Sequence, residues 1–253
     1  MKLQYDSEGD GPLVVLLHGF PESRKTWTRQ LPALAASGFQ AVAPDLRGYC
    51  DSPKPHGIKP YRMSEVASDV AELIESLHGA PCVLVGHDWG AAVAWTLAME
   101  RPELLRRLVI LNVPHPSAIA REARRSLRQK LKLSYQVFFQ LPLLPELVMK
   151  VLTRQWRRDF TPMLNYYRAL RYPRTPSQFI ETPTLIIWGE REPVFLDSGL
   201  ENLDKWIHDV RIERIANAGH FVQRDAAERV NELLIEFATP ALSTRATAPP
   251  ATT

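Results

Sequence analysis

An aspartate occupies a turn in which serine is the usual residue. Residues 83–92 read V-L-V-G-H-D-W-G-A-A: an apolar run, a turn in which Gly86 and Gly90 flank Asp88, and the start of a helical pattern. This spacing is typical of a nucleophile elbow, the sharp strand-to-helix turn that raises one side chain above a sheet. A serine there attacks an acyl carbon, whereas a carboxylate attacks an electrophilic sp³ carbon and becomes part of an ester itself. We therefore predict that Asp88 is a nucleophile.

Two later loops contain residues that could assist Asp88. Glu190 and Glu192 follow one apolar run, and His220 follows the next. In an elbow architecture the nucleophile, the acid and the histidine occur in this order, and both loops lie at the sheet edge that carries the nucleophile. His220 can act as a base, and a carboxylate behind it can orient its ring. This pattern alone leaves Glu190 and Glu192 both open as the acid.

The loop after the first apolar run contains a second motif, His18-Gly19-Phe20-Pro21. In an elbow architecture this loop gives one backbone N–H to an oxyanion hole, and the residue after the nucleophile gives the other. The predicted donors are therefore the amides of Phe20 and Trp89. They would hold the oxygen of an ester carbonyl during its hydrolysis.

The elements that must position these residues alternate along the chain. Short, nearly continuous apolar runs predict strands buried on both faces of a parallel sheet, with helical patterns between them. The alternation predicts an open, doubly wound α/β sheet. Strands are predicted at 13–17, 40–43, 82–85, 105–111, 184–188 and 211–215, and helices at 23–36, 64–78, 90–101 and 225–238.

The alternation breaks at residues 114–178, where we predict a helical cap. The cap would be inserted into an α/β core formed by residues 1–113 and 179–240. It contains thirteen basic but only three acidic side chains. That charge could belong to a solvated helix face, or it could attract an anionic membrane or partner surface. Residues 241–253, rich in alanine, threonine and proline, are predicted to form a disordered tail.

Composition narrows the class of protein. The 253 residues are 45% hydrophobic and 23% charged, as in globular proteins with a sizeable core. The net charge of +3 is too small to indicate nucleic-acid binding. The only cysteines are Cys50 and Cys82, and no apolar segment resembles a secretory signal or a membrane span. We expect a cytoplasmic protein, without a metal site.

Three motifs together resemble the soluble-type epoxide hydrolases of the α/β-hydrolase superfamily. They are H-G-F-P-E-S at 18–23, G-H-D-W-G at 86–90 and G-H-F at 219–221, and the similarity extends to about Ala238. The resemblance implies an α/β-hydrolase fold: a mostly parallel sheet, helices on both faces and a short inserted helical cap. It also implies a cis peptide between Phe20 and Pro21, no cofactor, and a small-molecule epoxide and water as reaction partners. A homodimer is left open.

Each motif is also found in haloalkane and haloacetate dehalogenases, and two cap tyrosines distinguish the groups. Tyr135 and Tyr167 match the sequence contexts of the family's two cap tyrosines. A phenol can donate a hydrogen bond to an epoxide oxygen and then protonate it, whereas a departing halide needs no acid. The resemblance puts the triad acid at Glu192, where relatives usually have aspartate, with Glu190 as the competitor.

These residues predict hydrolysis of epoxides to vicinal diols through a hydroxyalkyl ester of Asp88. A haloalkane or haloacetate dehalogenase is the alternative enzyme. A non-catalytic small-molecule binder built on the same fold is the alternative outside enzymes.

Overall fold

The computed structural model describes residues 1–156, 158–173 and 176–239, and within them one seven-stranded sheet forms the centre of the fold. Its strands follow the order β1-β3-β2-β4-β5-β6-β7; β1 pairs antiparallel with β3, and all other neighbours are parallel. The strands are β1 (Tyr5–Glu8), β2 (Leu13–Leu17), β3 (Gln40–Pro44), β4 (Cys82–His87), β5 (Leu105–Leu111), β6 (Thr184–Gly189) and β7 (Val210–Ile215).

The sheet is covered on both faces, which explains why its parallel strands are almost entirely apolar. Every residue of β2, β4 and β6 is buried. Alternate residues of one strand enter different clusters: Val15 and Leu17 pack with helices on one face, and Val14 and Leu16 pack on the other. The doubly wound α/β sheet predicted from the sequence is thus confirmed.

The helices occupy three stretches of the chain. Before β5 lie α1 (Gln30–Ala36), α2 (Met63–Ser76) and α3 (Trp89–Glu100). Between β5 and β6 lie α4 (Pro116–Arg125), α5 (Leu127–Lys132), α6 (Tyr135–Phe138), α7 (Leu144–Thr153) and α8 (Thr161–Arg168). After β7 lie α9 (Val222–Asp225) and α10 (Ala227–Ala238). Short 3₁₀ helices span Arg24–Trp27, Lys59–Tyr61, Pro102–Leu104, Ala169–Arg171, Asp197–Leu200 and Leu203–Lys205.

Two predicted helices are each divided in the structure. The prediction at 23–36 was wrong in treating the segment as one helix, because a 3₁₀ turn ends at Trp27 before α1 begins at Gln30. The backbone of Arg24 donates to Asp45, which draws this turn toward the end of β3. The predicted last helix is likewise divided at Ala226, which leaves the helical conformation with φ −134°.

Residues 114–178 are referred to below as the cap segment. Their described part contains helices and no strand of the sheet. Pro145 and Pro162 lie in the first turns of α7 and α8, where a missing N–H costs no helical hydrogen bond. The division into core and cap stays a prediction, and the predicted tail at 241–253 lies outside the described residues. No helix in the described ranges is both long and apolar enough to cross a bilayer.

A buried ion pair joins the loop after β3 to helix α2. Arg47 Nε donates to Asp69 Oδ2 at 2.5 Å, and both residues are almost fully buried. The remaining guanidinium nitrogens donate to the backbone oxygens of Pro60 and Glu65. The hydroxyl of Tyr166 on α8 donates to the Arg47 carbonyl at 2.8 Å, so the same loop also holds the cap segment.

Replacing Asp69 with alanine is expected to lower the free energy of unfolding by about 3–5 kcal/mol, because the buried Arg47 guanidinium loses its counter-charge. Urea denaturation measures this change. Glu72→Ala is the control, since Glu72 is an exposed neighbour whose ion pair among the described residues is with the N-terminal amine, which Asp69 also binds. This variant should cost less than about 1 kcal/mol. Equal losses in the two variants would contradict the prediction.

Candidate active site

Asp88 lies in a sharp turn between β4 and α3. Its backbone has φ 50° and ψ −118°, a strained conformation for a residue with a Cβ. A Cβ on Gly86 would lie 2.5 Å from the Gly90 oxygen, and one on Gly90 would overlap the Leu17 oxygen. The two glycines therefore let α3 start close against β2 and β4. The turn holds the Asp88 carboxylate at the carboxyl edge of the sheet.

The loop after β2 contacts this carboxylate. The backbone N–H of Phe20 donates to Asp88 Oδ1 at 2.7 Å. The Phe20–Pro21 peptide is cis, which confirms that expectation. Trp89, the second predicted donor, is the first residue of α3, so its N–H is one of the amides for which a helix has no internal acceptor. The Phe20 amide thus binds the carboxylate, and the Trp89 amide lies at the start of the helix that follows Asp88.

His220 lies between Asp88 and Glu192. Its Nε2 is 3.5 Å from Asp88 Oδ2, and its Nδ1 is 2.8 Å from Glu192 Oε2. Glu192 is held in turn by the Asn112 side-chain amide at 2.6 Å and the Val194 N–H at 2.7 Å. Of the two predicted acids, the structure therefore brings Glu192 to the histidine. The Glu190 side chain is exposed and, among the described residues, forms no hydrogen bond or ion pair with His220.

The two ionisable groups stabilise each other's charged form. Burial raises the pKa of Asp88, but the hydrogen bond and charge of His220, with the Phe20 N–H, outweigh this effect and lower it below its usual value. Burial lowers the pKa of His220, yet Asp88 and Glu192 outweigh this and raise it to about 10. At neutral pH the site therefore contains the Asp88 carboxylate and, beside it, the His220 imidazolium.

Tyr135 and Tyr167 line the cavity that contains Asp88. The cavity has a volume of about 370 Å³ and mostly apolar walls. The tyrosine rings meet edge to face, with centroids 5.9 Å apart, and Tyr167 also packs on Trp89 at 4.9 Å. Burial, with the Asp88 charge, raises the pKa of Tyr135 to about 12 and that of Tyr167 well above its usual value. Both phenols therefore keep their protons at neutral pH.

Supporting residues were not predicted from the sequence. Asn112, at the end of β5, donates to Glu192 and to the Gly219 carbonyl and accepts from the Gly189 N–H at 2.8 Å. It thereby fixes both loops that carry the acid and the histidine. The only signal for Asn112 in the sequence was its position after a buried strand, at the same sheet edge as the site.

A second network lies behind His220. His87 Nε2 is 2.8 Å from the His220 carbonyl oxygen, and its Nδ1 contacts Gln223 at 3.2 Å and Glu22 at 3.6 Å. Burial raises the pKa of Glu22, but its hydrogen bonds, chiefly from the His87 ring, outweigh this and lower it. The sequence indicated only that His87 packs behind the elbow. Glu22 directly follows the His18–Pro21 motif, which was the available signal.

Comparison with known proteins agrees with this geometry. The profile of a family described as the alpha/beta hydrolase fold matches residues 12–151 and 151–227. The chain is 32% identical to Epoxide hydrolase 3 of Xenopus tropicalis over 94% of its own length and 74% of that protein. The chain belongs to the epoxide hydrolases of the α/β-hydrolase superfamily. It is a hydrolase of that group, and the resemblance inferred from its three motifs is confirmed.

Further epoxide hydrolases and one superfamily protein show the same likeness. The AB hydrolase superfamily protein YfhM of Bacillus subtilis is 33% identical, over 90% of each chain. A crystal structure of an epoxide hydrolase of Bacillus megaterium in complex with an inhibitor has a TM-score of 0.84 and 30% identity, covering 93% of this chain and 96% of that one. The predicted α/β-hydrolase fold is thus confirmed.

Proposed function

We propose that this protein hydrolyses epoxides to vicinal diols through a covalent hydroxyalkyl ester of Asp88. The observation that carries the proposal is one apolar cavity in which a carboxylate and two protonated phenols lie together. The names of the relatives from Xenopus tropicalis and Bacillus megaterium support the substrate class. The proposed steps use side chains, backbone amides and water, without a cofactor.

In the first step Asp88 Oδ2 attacks an epoxide carbon and forms an ester bond. Oδ1 is already bound by the Phe20 N–H, so it becomes the ester carbonyl oxygen. The bond between the attacked carbon and the ring oxygen breaks, and Tyr135 or Tyr167 gives its proton to that oxygen. A phenol of pKa about 12 is acidic enough to protonate an alkoxide, yet it stays protonated until one forms.

In the second step water hydrolyses the ester. Esterification removes the Asp88 charge that raises the pKa of His220, so the imidazolium gives its proton to the phenolate left by the first step. The neutral ring can then accept another proton. His220, oriented by Glu192, takes a proton from water, and the resulting hydroxide attacks the Asp88 carbonyl carbon. The Phe20 and Trp89 amides stabilise the oxyanion. The bond between the carbonyl carbon and the diol oxygen then breaks, and the departing alkoxide takes the proton of the new carboxylic acid group. The Asp88 carboxylate and the His220 imidazolium are thereby restored.

A single turnover in ¹⁸O-labelled water tests the covalent route. With excess enzyme and styrene oxide, label is expected in the Asp88 carboxylate, because water attacks the ester carbonyl rather than the epoxide. Mass spectrometry of the peptide containing Asp88 detects it. Label confined to the diol would show that water attacks the epoxide directly and would overturn the ester mechanism.

His220→Gln is expected to accumulate the hydroxyalkyl-enzyme, since the ester forms without a base but its hydrolysis loses one. The rate of ester hydrolysis should fall by about 10²–10⁴-fold. Intact-protein mass spectrometry would reveal protein heavier by the mass of the epoxide. Glu190→Gln is the matched control, because this exposed carboxylate lies in the same loop as Glu192 without contacting His220. Ester accumulation in Glu190→Gln but not in His220→Gln would contradict the assignment of His220 as the base.

The two steps are expected to respond differently to pH. His220 must be neutral to accept a proton from water, so ester hydrolysis should slow as the pH falls below the pKa of His220 in the ester. That pKa lies below the value of about 10 in the free site, because the Asp88 charge is gone. The low pKa of Asp88 keeps the first step active there. Rapid quenching should therefore find more ester at acidic pH; a constant ester fraction would contradict this.

The cytoplasm remains the compartment we propose. Cys50 and Cys82 are both free thiols, the first exposed and the second buried. An exposed free thiol fits a reducing environment.

A further inference from the structure

Helix α7 presents an apolar stripe to solvent. Leu144, Leu147, Val151 and Leu152 have exposed fractions of 50, 53, 51 and 72%. Their spacing of i, i+3, i+7 and i+8 puts them on one side of the helix, while Met149 is buried on the other. The helix therefore has two apolar surfaces, and the protein covers only the one that contains Met149.

Polar contacts fix this orientation. Glu146 of α7 forms an ion pair of 2.8 Å with Arg168 of α8, and both side chains are largely buried. Arg168 also donates to the Leu141 carbonyl at 2.6 Å, just before α7 begins. Turning the stripe inward would break both contacts. The outward-facing stripe is thus part of the folded arrangement of the cap segment.

The exposed large hydrophobic side chains are concentrated in one part of the protein. Across the residues that the structure describes, ten of the thirteen exposed large hydrophobic side chains lie between Leu127 and Trp156. Isolated exposed hydrophobic residues are ordinary, but a concentration of this kind marks an interaction surface. The region Leu127–Trp156 is called the apolar cap face below.

The cap segment, which contains this face, has a net positive charge, whereas the rest of the chain has a net negative charge. Its thirteen basic and three acidic side chains give a formal charge of +10, whereas the rest of the chain, with 18 basic and 25 acidic side chains, carries −7. Arg124, Arg128, Lys130 and Arg154 are exposed, and none of them forms an ion pair with a described residue. Unpaired cations therefore accompany the apolar cap face.

The three acidic side chains of the cap segment do not pair with these exposed cations. Glu122 pairs with Arg121 at 2.9 Å, and Glu146 pairs with Arg168. Asp159 accepts a backbone N–H at the start of α8. All three carboxylates are thus engaged within the protein.

We propose that the apolar cap face docks on the surface of an anionic phospholipid bilayer. Exposed leucine and valine side chains would enter the boundary between head groups and acyl chains, and the surrounding arginine and lysine side chains would meet lipid phosphates. A second copy of the chain is the competing occupant. It is disfavoured because a symmetric dimer would bring two segments of charge +10 together. Docking is separate from the proposed hydrolysis and is measured without turnover.

Sedimentation with vesicles tests the charge component. The protein should bind vesicles of equimolar phosphatidylcholine and phosphatidylglycerol and dissociate from them at high salt. It should not bind vesicles of phosphatidylcholine alone. The triple variant Arg124→Gln, Arg128→Gln, Lys130→Gln should bind on the order of 100-fold more weakly, because each basic side chain near an anionic surface contributes about fivefold. Lys2→Gln, Lys59→Gln, Lys205→Gln removes the same charge from exposed sites outside the segment and should leave binding within about threefold.

A second pair of variants tests the apolar component. Leu147→Gln with Leu152→Gln should weaken binding to the mixed vesicles by at least about tenfold. The control variant Tyr5→Gln with Phe179→Gln alters two exposed hydrophobic residues outside the cap segment. It should bind the mixed vesicles as tightly as the unaltered protein. Circular dichroism and epoxide hydrolysis without vesicles would verify folding of each variant. Equal binding to neutral vesicles, or no loss in either cap variant, would overturn the proposal. So would a dimer, detected by light scattering, that Leu147→Gln with Leu152→Gln dissociates.

Discussion

Asp88→Ala is expected to reduce kcat/KM for styrene oxide by a factor of about 10⁴–10⁶, the range seen when the nucleophile of a catalytic triad is removed. No other carboxylate of the described chain lines the cavity, so the ester cannot form through a substitute. The remaining donors could still bind the epoxide oxygen, which would leave only slow attack by water. Diol formation measured by chromatography reports this loss directly.

Two companion variants make the Asp88 result specific. Asp88→Asn keeps an oxygen that can accept the Phe20 N–H, so it separates loss of the nucleophile from loosening of the loop after β2. Asp10→Ala removes an exposed aspartate far along the chain from the site and should retain full activity. Diol formation by Asp88→Ala at a rate within about tenfold of the unaltered protein would contradict the covalent mechanism.

The same variants distinguish the alternative functions. A dehalogenase would release halide from a haloalkane through Asp88, so the unaltered protein is tested with both substrate types. We expect diol from the epoxide and no comparable halide release. A non-catalytic binder would retain its ligand affinity in Asp88→Ala and would turn over neither substrate.

The parallel strands could be predicted because strands buried in the sheet consist almost entirely of apolar residues. The six predicted strands all occur, with ends that differ by at most two residues, since a strand covered on both faces must be apolar throughout. The edge strand Tyr5–Glu8 was missed because three of its four residues are exposed and it has no apolar run. Its pairing with β3 depends on backbone hydrogen bonds, which leave no comparable signal in the side chains.

The candidate site could be predicted only as far as motifs and chain order extend. Asp88 and His220 stood in diagnostic loops, so their meeting at 3.5 Å was foreseeable. The selection of Glu192 over Glu190 depends on side-chain direction, which Asn112 and the Val194 N–H fix in three dimensions. The Asn112 contact joins residues 80 positions apart in the chain, and a single sequence does not reveal it.

The combined variant Tyr135→Phe, Tyr167→Phe is expected to slow opening of an epoxide by about 10²–10⁴-fold, since both phenols that can protonate the ring oxygen are removed. Each single variant should lose less, because the other hydroxyl remains. Stopped-flow fluorescence of Trp89, whose ring packs on Tyr167 at 4.9 Å, offers a measure of ester formation. Tyr166→Phe is the neighbouring control: its hydroxyl binds the Arg47 carbonyl outside the cavity, so epoxide opening should be preserved.

The phenols should matter only when the leaving oxygen needs a proton. The Asp88 charge raises the pKa of Tyr135 and Tyr167. Esterification removes this charge, so both phenols become stronger acids as the alkoxide forms. A halide leaves without a proton, and phenacyl bromide should therefore alkylate Asp88 in the double variant within about tenfold of the normal rate. Mass spectrometry compares the two reactions in one protein. Equal losses for epoxide and bromide would show that the tyrosines shape the cavity rather than donate the proton.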